Sequence, residues 1–180
     1  TAWARQNIKT IIQKLGDEGQ HVVYSDTDSI FVKTPVDGVT DPRQAMIEFG
    51  HSTAERFSEK SAELEFETGM SVFFSHGAKK RYVGQVVWPE EKMMIKGYET
   101  QRTDSFRYLT EGMKNIFKHV LADDSEAAIN LAIETISAVK KGDVPVRDLI
   151  MSKSCKGRWD RKRAKWDFSQ DYANPDAMIQ

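Results

Sequence analysis

Two aspartates separated by one residue are the part of this sequence best suited to chemistry. Asp26 and Asp28 lie in the hexapeptide formed by residues 24–29, between the apolar runs 22–24 and 30–32. Runs of β-branched and aromatic residues bounded by polar ones predict short strands. Side chains at positions i and i+2 of an extended backbone point to the same face, so we expect the two carboxylates to project together.

A pair of neighbouring carboxylates favours a bound divalent cation. Two like charges at short range repel and raise each other's pKa, and a cation relieves that repulsion. Mg²⁺ prefers oxygen ligands and usually takes one or two carboxylates, with water and phosphate completing its shell. The alternative for an isolated Asp-x-Asp is a polar turn in which the aspartates hydrogen-bond their own backbone.

Composition places the chain among ordinary folded proteins. It has 180 residues, 39% of them hydrophobic and 29% charged, which fits one domain or two small ones. No apolar run approaches the roughly 20 residues of a membrane span, and no signal peptide is visible. The single cysteine, Cys155, excludes an internal disulfide and fits a reducing compartment. A first residue other than Met, Thr1, indicates a fragment or a processed chain.

Charge is unevenly distributed along the sequence. The formal net charge is −1, so the whole chain is not an electrostatic binder of nucleic acid. Residues 151–166, however, contain seven basic residues and one acidic residue, with Trp159 and Trp166 among them. We expect the tryptophans to pack on the domain that carries them, and the cations to contact a polyanion.

Periodic patterns then predict the elements that position these groups. Residues 1–15 have helical spacing and end at Gly16, and a second helix begins with Asp41 as N-cap and runs to about Ser61. Strict alternation predicts a strand at residues 63–67, and further strands are expected around residues 72–74, 82–88 and 93–95. The first part is therefore α+β.

The second part of the sequence predicts helices. Apolar residues at helical spacing indicate one helix over residues 106–120 and another over residues 125–141, capped by Ser125 and stopped by Gly142. In the second helix we expect the apolar stripe to form core, as such stripes usually do; its members are Ile129, Ala132, Ile133, Ile136 and Val139.

Three blocks resemble the family B DNA polymerases, of the archaeal type. Residues 24–29 resemble the family's motif C, Tyr-Gly-Asp-Thr-Asp-Ser, with Ser25 in place of Gly. Residues 79–82 are identical to the family's Lys-Lys-Arg-Tyr motif. Residues 96–104 resemble its Gly-x-Glu-x-x-Arg-Arg-Asp segment, with Gly97, Glu99, Arg102 and Asp104 matching and Thr103 departing.

The resemblance implies a fold and a set of partners. Residues 1–103 would be the C-terminal part of an antiparallel palm, and residues 104–180 an incomplete, mainly helical thumb. The sequence lacks the family's motif A, Asp-x-x-Ser-Leu-Tyr-Pro, its fingers motif and its exonuclease domain. The implied partners are primer–template DNA, deoxynucleoside triphosphates and an N-terminal polymerase portion. The implied location is intracellular, and the chain alone is expected to be inactive.

The resemblance also implies roles for particular residues. Asp28 would be the main ligand of two Mg²⁺ ions, Asp26 a secondary ligand and Glu67 a further one, while Tyr24, Thr27 and Ser29 would support the hairpin. Cations near the duplex satisfy phosphates and minor-groove acceptors. The residues expected to contact DNA are Lys79, Lys80, Arg81, Tyr82, Lys96, Gly97, Arg102, Arg161, Lys162 and Arg163.

Two other functions remain open on the sequence alone. One is a DNA-binding module of a split polymerase that performs no catalysis and retains the aspartates without using them. The other is a glycosyltransferase, which also uses Asp-x-Asp to hold a metal and a nucleotide diphosphate, but which leaves the basic tetrapeptide and the helical second part unexplained.

Overall fold

The computed structural model describes residues 2–59, 62–98, 100, 105–151 and 157–167. Within these residues the fold is α+β. The chain divides into two compact units, one of residues 1–98 with 117–128 and the other of residues 99–116 with 129–180. The helices of the described residues are Ala2–Asp17 (α1), Pro42–Phe57 (α2), Arg107–Leu121 (α3), Ser125–Lys141 (α4) and a short 3₁₀ helix, Val146–Asp148.

The strands form three separate antiparallel sheets in the described part of the chain. A hairpin and a three-stranded sheet lie in the first unit, and a second hairpin lies in the other. The strands are Val22–Asp26 (β1) paired with Ser29–Val32 (β2), then Gly69–Phe74 (β3), Tyr82–Trp88 (β4) and Lys92–Lys96 (β5) in spatial order, and Arg158–Asp160 (β6) paired with Lys165–Asp167 (β7).

Helix α1 packs against the hairpin that carries the two aspartates. Ile11 and Leu15 are buried together with Phe57 of α2, and apolar residues of β1 and β2 lie against them. The helix continues through Gly16, contrary to the prediction, and ends at Asp17. The left-handed residue that ends it is Gly19, at φ 77°, where Gln20 N donates to Leu15 O at 2.8 Å.

Helix α2 begins as the sequence predicts. The Asp41 carboxylate accepts a hydrogen bond from Gln44 N at 3.0 Å, and Pro42 occupies the first turn, where a missing N–H costs nothing. The helix ends at Phe57, earlier than expected. Its Met46 is buried, and on the neighbouring sheet Val83 and Val86 of β4 are completely excluded from solvent.

Residues 63–67 do not form the predicted strand. Their backbone belongs to no ladder, and Leu64 N instead donates to the Ser58 hydroxyl at 2.8 Å. The alternation was nevertheless informative about burial, because Glu63 and Glu65 are exposed while Phe66 stacks on Trp88 with ring centroids 4.5 Å apart. A period of two identifies the faces of an extended segment but does not supply a partner strand.

The apolar stripe of α4 is not core. Ile129, Ile133, Ile136 and Val139 are 43% to 60% exposed, so that prediction is wrong for the described residues. The helix does start as expected, although Asp124 caps it rather than Ser125, by accepting a hydrogen bond from Ala127 N at 3.0 Å. Helical spacing shows that these residues share a face, but not that another element covers it.

The described part of the basic run, residues 157–166, lies in a hairpin, and residues 152–156 lie outside the described residues. Trp159 and Trp166 lie opposite each other on β6 and β7 and pair edge to face, with ring centroids 5.7 Å apart. They are 51% and 48% exposed, so the expected packing on the surrounding domain is wrong.

In the described residues, no helix is long and apolar enough to cross a membrane.

Candidate active site

Four aromatic rings hold the aspartate hairpin against the three-stranded sheet. Tyr24 of β1, Phe31 of β2, Phe73 of β3 and Tyr82 of β4 contact one another in every combination, with ring centroids 5.1 to 5.8 Å apart. Each pair contributes about 0.5–1.5 kcal/mol beyond burial. The cluster therefore joins the hairpin to the start of β4, where the basic tetrapeptide lies.

The tip of the hairpin is a two-residue turn at Thr27 and Asp28. Asp26 pairs with Ser29 across it, and Thr27 has a φ of 29°, an uncommon value for a β-branched residue. The expectation of an extended backbone through both aspartates is therefore wrong. Asp26 ends a strand and is partly buried, whereas Asp28 lies in the turn and is exposed.

Two hydroxyl groups hold this turn together. The Thr27 hydroxyl donates to Asp26 Oδ1 at 3.1 Å, and the Ser29 hydroxyl donates to the Asp26 carbonyl at 3.3 Å. Local hydrogen bonds of this kind stabilise turns that would otherwise leave polar groups unpaired. Both contacts are consistent with the supporting role expected of these residues, and both leave the Asp28 carboxylate out of the network.

Lys80 contacts Asp26 directly. Its Nζ lies 2.9 Å from Oδ1 and 3.0 Å from Oδ2 of the carboxylate, and 3.3 Å from the Thr27 hydroxyl. The hydrogen bond from Lys80, more than any other cause, holds the pKa of Asp26 below its ordinary value, and the same contact raises the pKa of Lys80. The expected mutual rise of two aspartate pKa values is therefore wrong for Asp26.

The backbone of Lys80 is also held by a hydrogen bond. Lys80 N donates to the Tyr24 hydroxyl at 2.9 Å, and the residue has a left-handed φ of 61°. Gly97, at φ 72°, lies against the Lys80 carbonyl, where an added Cβ would collide with the oxygen and lie 2.9 Å from the carbon. All three sequence blocks that resemble the polymerase family thus meet at Lys80.

The other two carboxylates expected at the metal site are those of Asp28 and Glu67. No hydrogen bond or ion pair from the described residues engages the Asp28 side chain, which leaves both of its oxygens available. Glu67 is exposed, and its charge helps to raise the pKa of Tyr82, although burial is the main cause. No three His, Cys, Asp or Glu residues of the described chain are grouped closely enough to hold a metal. The exposed Asp28 carboxylate still fits part of a Mg²⁺ shell, because such a shell usually takes one or two carboxylates and is completed by water and phosphate.

The other residues expected at the site lie in the turn before β4, in strands β4 and β5, or outside the described residues. Lys79 is exposed in the turn before β4, Arg81 and Lys96 are exposed, and Tyr82 is partly buried. Lys96 lies opposite Tyr82 in the β4–β5 ladder. Arg102 lies outside the described residues, as do the matching Glu99 and Asp104, and so does the predicted domain boundary at residues 103 and 104.

The arrangement around Lys80 was not predicted from the sequence. Lys80 was expected to contact DNA and Tyr24 to support the hairpin, but neither was expected to contact the other, and Lys80 was not expected to contact Asp26. The only available signal was that the three blocks occur in one chain, because a contact across 54 residues leaves no trace in local periodicity.

Comparison with known proteins agrees with these blocks. The family model described as DNA polymerase family B matches residues 3–167. DNA polymerase 2 of Aeropyrum pernix is 34% identical over 86% of this chain, and a DNA polymerase of Thermococcus kodakarensis is 30% identical over 84%. The DNA polymerase delta catalytic subunit of Caenorhabditis elegans is 30% identical over 80%.

The chain belongs to DNA polymerase family B. This assignment removes the glycosyltransferase alternative. The match covers 18% of the Aeropyrum relative, 9% of the Thermococcus relative and 14% of the Caenorhabditis relative, so the chain spans less than a fifth of their lengths.

Proposed function

We propose that this chain supplies part of the active site of a DNA-directed DNA polymerase, together with a surface that binds primer–template DNA. The observation that carries the proposal is the unequal state of the two aspartates. Lys80 engages Asp26 through both carboxylate oxygens, whereas Asp28 lies exposed in the turn. One carboxylate is thus available to a cation, and the other is neutralised by a neighbouring side chain.

The proposed chemistry is nucleotidyl transfer. When bound, two Mg²⁺ ions would lower the pKa of the primer 3′-hydroxyl and neutralise the incoming triphosphate. Asp28 would be the main ligand that this chain contributes, Asp26 a secondary one, and Glu67 a further candidate. A motif A carboxylate, which this sequence lacks, would complete the site from the N-terminal polymerase portion, which would also contribute the residues that bind the deoxynucleoside triphosphate.

Lys80 would position the primer terminus relative to the aspartates. Its side chain is 67% exposed although it contacts Asp26, so it remains accessible to minor-groove acceptors. Lys79 and Arg81 flank it and are exposed, which suits contact with phosphates. Tyr82, Lys96, Gly97 and Arg102 complete the proposed duplex contact, and Arg161, Lys162 and Arg163 are proposed to hold the product duplex. In this proposal residues 1–103 form palm and residues 104–180 form thumb.

Primer extension tests the proposal. The 180-residue chain alone should incorporate no nucleotide, because it offers only part of a metal site. Addition of an archaeal family B polypeptide that carries motif A and the fingers should give templated, Mg²⁺-dependent incorporation, and the same mixture with Asp28→Ala should not. Incorporation by the chain alone would contradict the proposal.

A DNA-binding module without catalysis is the second candidate, and the cationic hairpin β6–β7 favours it. The two candidates differ in one result. A chain that binds duplex DNA but never supports incorporation with the added portion would be the non-catalytic module.

A further inference from the structure

The β6–β7 hairpin displays a pair of tryptophans on one face. Trp159 and Trp166 are cross-strand partners, with ring planes at 73° and roughly half of each side chain exposed. Residues directly opposite each other on two antiparallel strands project to the same face, so both indoles lie on the same side of the hairpin. Large exposed aromatic surfaces are uncommon on proteins unless they bind something.

The opposite face and the tip of this hairpin are charged. The register places Arg158 opposite Asp167 and Asp160 opposite Lys165, so that face pairs opposite charges across the strands. The loop of residues 161–164 at the tip contributes three further cations and no carboxylate. Residues 158–167 therefore carry five cationic and two anionic side chains, a net charge of +3 in a chain of net charge −1.

Asp160 gives the tip a defined shape. Its Oδ1 accepts hydrogen bonds from Lys162 N at 2.9 Å and Arg163 N at 3.2 Å, and its Oδ2 lies 3.5 Å from Arg163 Nε. This carboxylate is thus occupied within the loop, and it partly neutralises Arg163. Arg161 and Lys162 are exposed in the loop at the tip, where an external anion can reach them.

We propose that this hairpin binds single-stranded DNA, with Trp159 and Trp166 stacking on unpaired bases and Arg161 and Lys162 contacting the phosphates. Cationic grooves combined with exposed aromatic rings are the usual way to hold single strands, because every base offers a π face. In a duplex the faces of the bases are covered by their neighbours, so indoles would gain little there. The choice of DNA rests on the proposed polymerase function.

Binding of a single strand is distinct from the duplex contact proposed for the same cations. Phosphates of a single strand and of a duplex can use Arg161 and Lys162 equally, but only a single strand uses the indoles. The alternative is that the tryptophan pair serves only to stabilise a two-stranded hairpin, which is marginal without such packing. Ligands that differ only in their bases distinguish the two.

The test is fluorescence anisotropy with the 180-residue chain in EDTA, so that no catalysis is required and failure of polymerisation is a separate result. The probes are a labelled oligothymidylate and a strand of equal length with abasic residues at most positions. The chain should bind the oligothymidylate about tenfold or more tightly than the abasic strand, because only the former has bases that can stack on the indoles. Equal affinity for the two probes would overturn the proposal.

Variants then assign the stacking to the hairpin. Trp159→Ala with Trp166→Ala should abolish the preference for the oligothymidylate, and the corresponding Phe variants should retain part of it. Trp3→Ala is the matched control, since Trp3 is 52% exposed on α1, and it should leave the preference unchanged. A preference that survives both alanine changes, or that disappears with Trp3→Ala, would place the stacking elsewhere and contradict the proposal.

Discussion

Lys80 Nζ lies 2.9 Å and 3.0 Å from the two carboxylate oxygens of Asp26, although 54 positions separate these residues in the sequence. Because the ammonium group satisfies this carboxylate, the two aspartates of the hairpin are not equivalent. One is paired with a cation that the protein itself supplies, and the other is exposed and open to a cation from solution. This asymmetry underlies the first two predictions.

The first prediction concerns the separate roles of the aspartates. In the polymerase reconstituted with the motif A portion, Asp28→Ala should lower the rate of incorporation by about 10³-fold or more, since a metal ion contributes several kcal/mol to such reactions. Asp26→Ala should leave measurable activity. Single-turnover kinetics give both rates. Both variants should bind primer–template normally, because neither carboxylate attracts phosphate, and equal or reversed losses would show that the roles are wrongly assigned.

The second prediction is that Asp26 and Lys80 act as one unit. Lys80→Met and Asp26→Asn should each lower the single-turnover rate, and the double variant should be no slower than the slower single variant, because residues in contact are not additive. Lys79→Met is the matched control, since Lys79 is exposed in the same turn. Its effect should add to that of Asp26→Asn. If the effects of Lys80→Met and Asp26→Asn on the rate were strictly additive, the contact between these residues would have no part in the reaction.

The third prediction concerns the close approach at Gly97. Gly97→Ala should destabilise the protein by about 1–3 kcal/mol, because a Cβ would collide with the Lys80 carbonyl and the backbone is left-handed. Gly38→Ala is the control, because its φ of 76° is similar but nothing lies within 4 Å of an added Cβ. It should cost about 1 kcal/mol from backbone strain alone. Urea denaturation measures both, and equal losses would exclude a steric role for Gly97.

The fourth prediction concerns the cations at the tip of the second hairpin. Changing Arg161, Lys162 and Arg163 to Ala should weaken duplex binding equally for unrelated sequences. It should also flatten the salt dependence by about 0.9 in log K per log salt for each phosphate that is no longer neutralised. Arg163→Ala alone should have the smallest effect, because this side chain lies 3.5 Å from Asp160. Anisotropy over a salt series on two duplexes measures the slope. An unchanged slope would mean that the duplex is held elsewhere.

Local chemistry in the sequence determined most of the elements in the first unit. The Asp41 cap, the helix α2 that follows it and the strands on either side of the aspartate turn all agree with expectation. Helix capping and strand propensity depend on residues within a few positions of each other, so one short stretch contains all the information they require. The three motif blocks likewise identified the family without any structure.

Residues 63–67 and the stripe on α4 show where local information ends. In both segments the periodicity correctly grouped side chains that share a face. It also predicted that residues 63–67 pair with another strand and that the stripe on α4 is buried, and the described structure shows neither. Whether a face is buried depends on which other element packs against it, and the sequence of the segment itself does not identify that element. The exposed pair of Trp159 and Trp166 is a third case of the same limit.

In the candidate site, too, some features could be predicted from the sequence and others are visible only in the tertiary structure. The sequence alone selected Asp26, Asp28 and Lys80 as candidate functional residues, because their types and motifs are distinctive. Only the tertiary structure joined Lys80 to Asp26, and only the close approach of Gly97 explained why that position lacks a side chain. Pairing across 54 residues is decided by how the aromatic cluster docks a hairpin on a sheet, which is a property of packing in three dimensions and not of spacing along the chain.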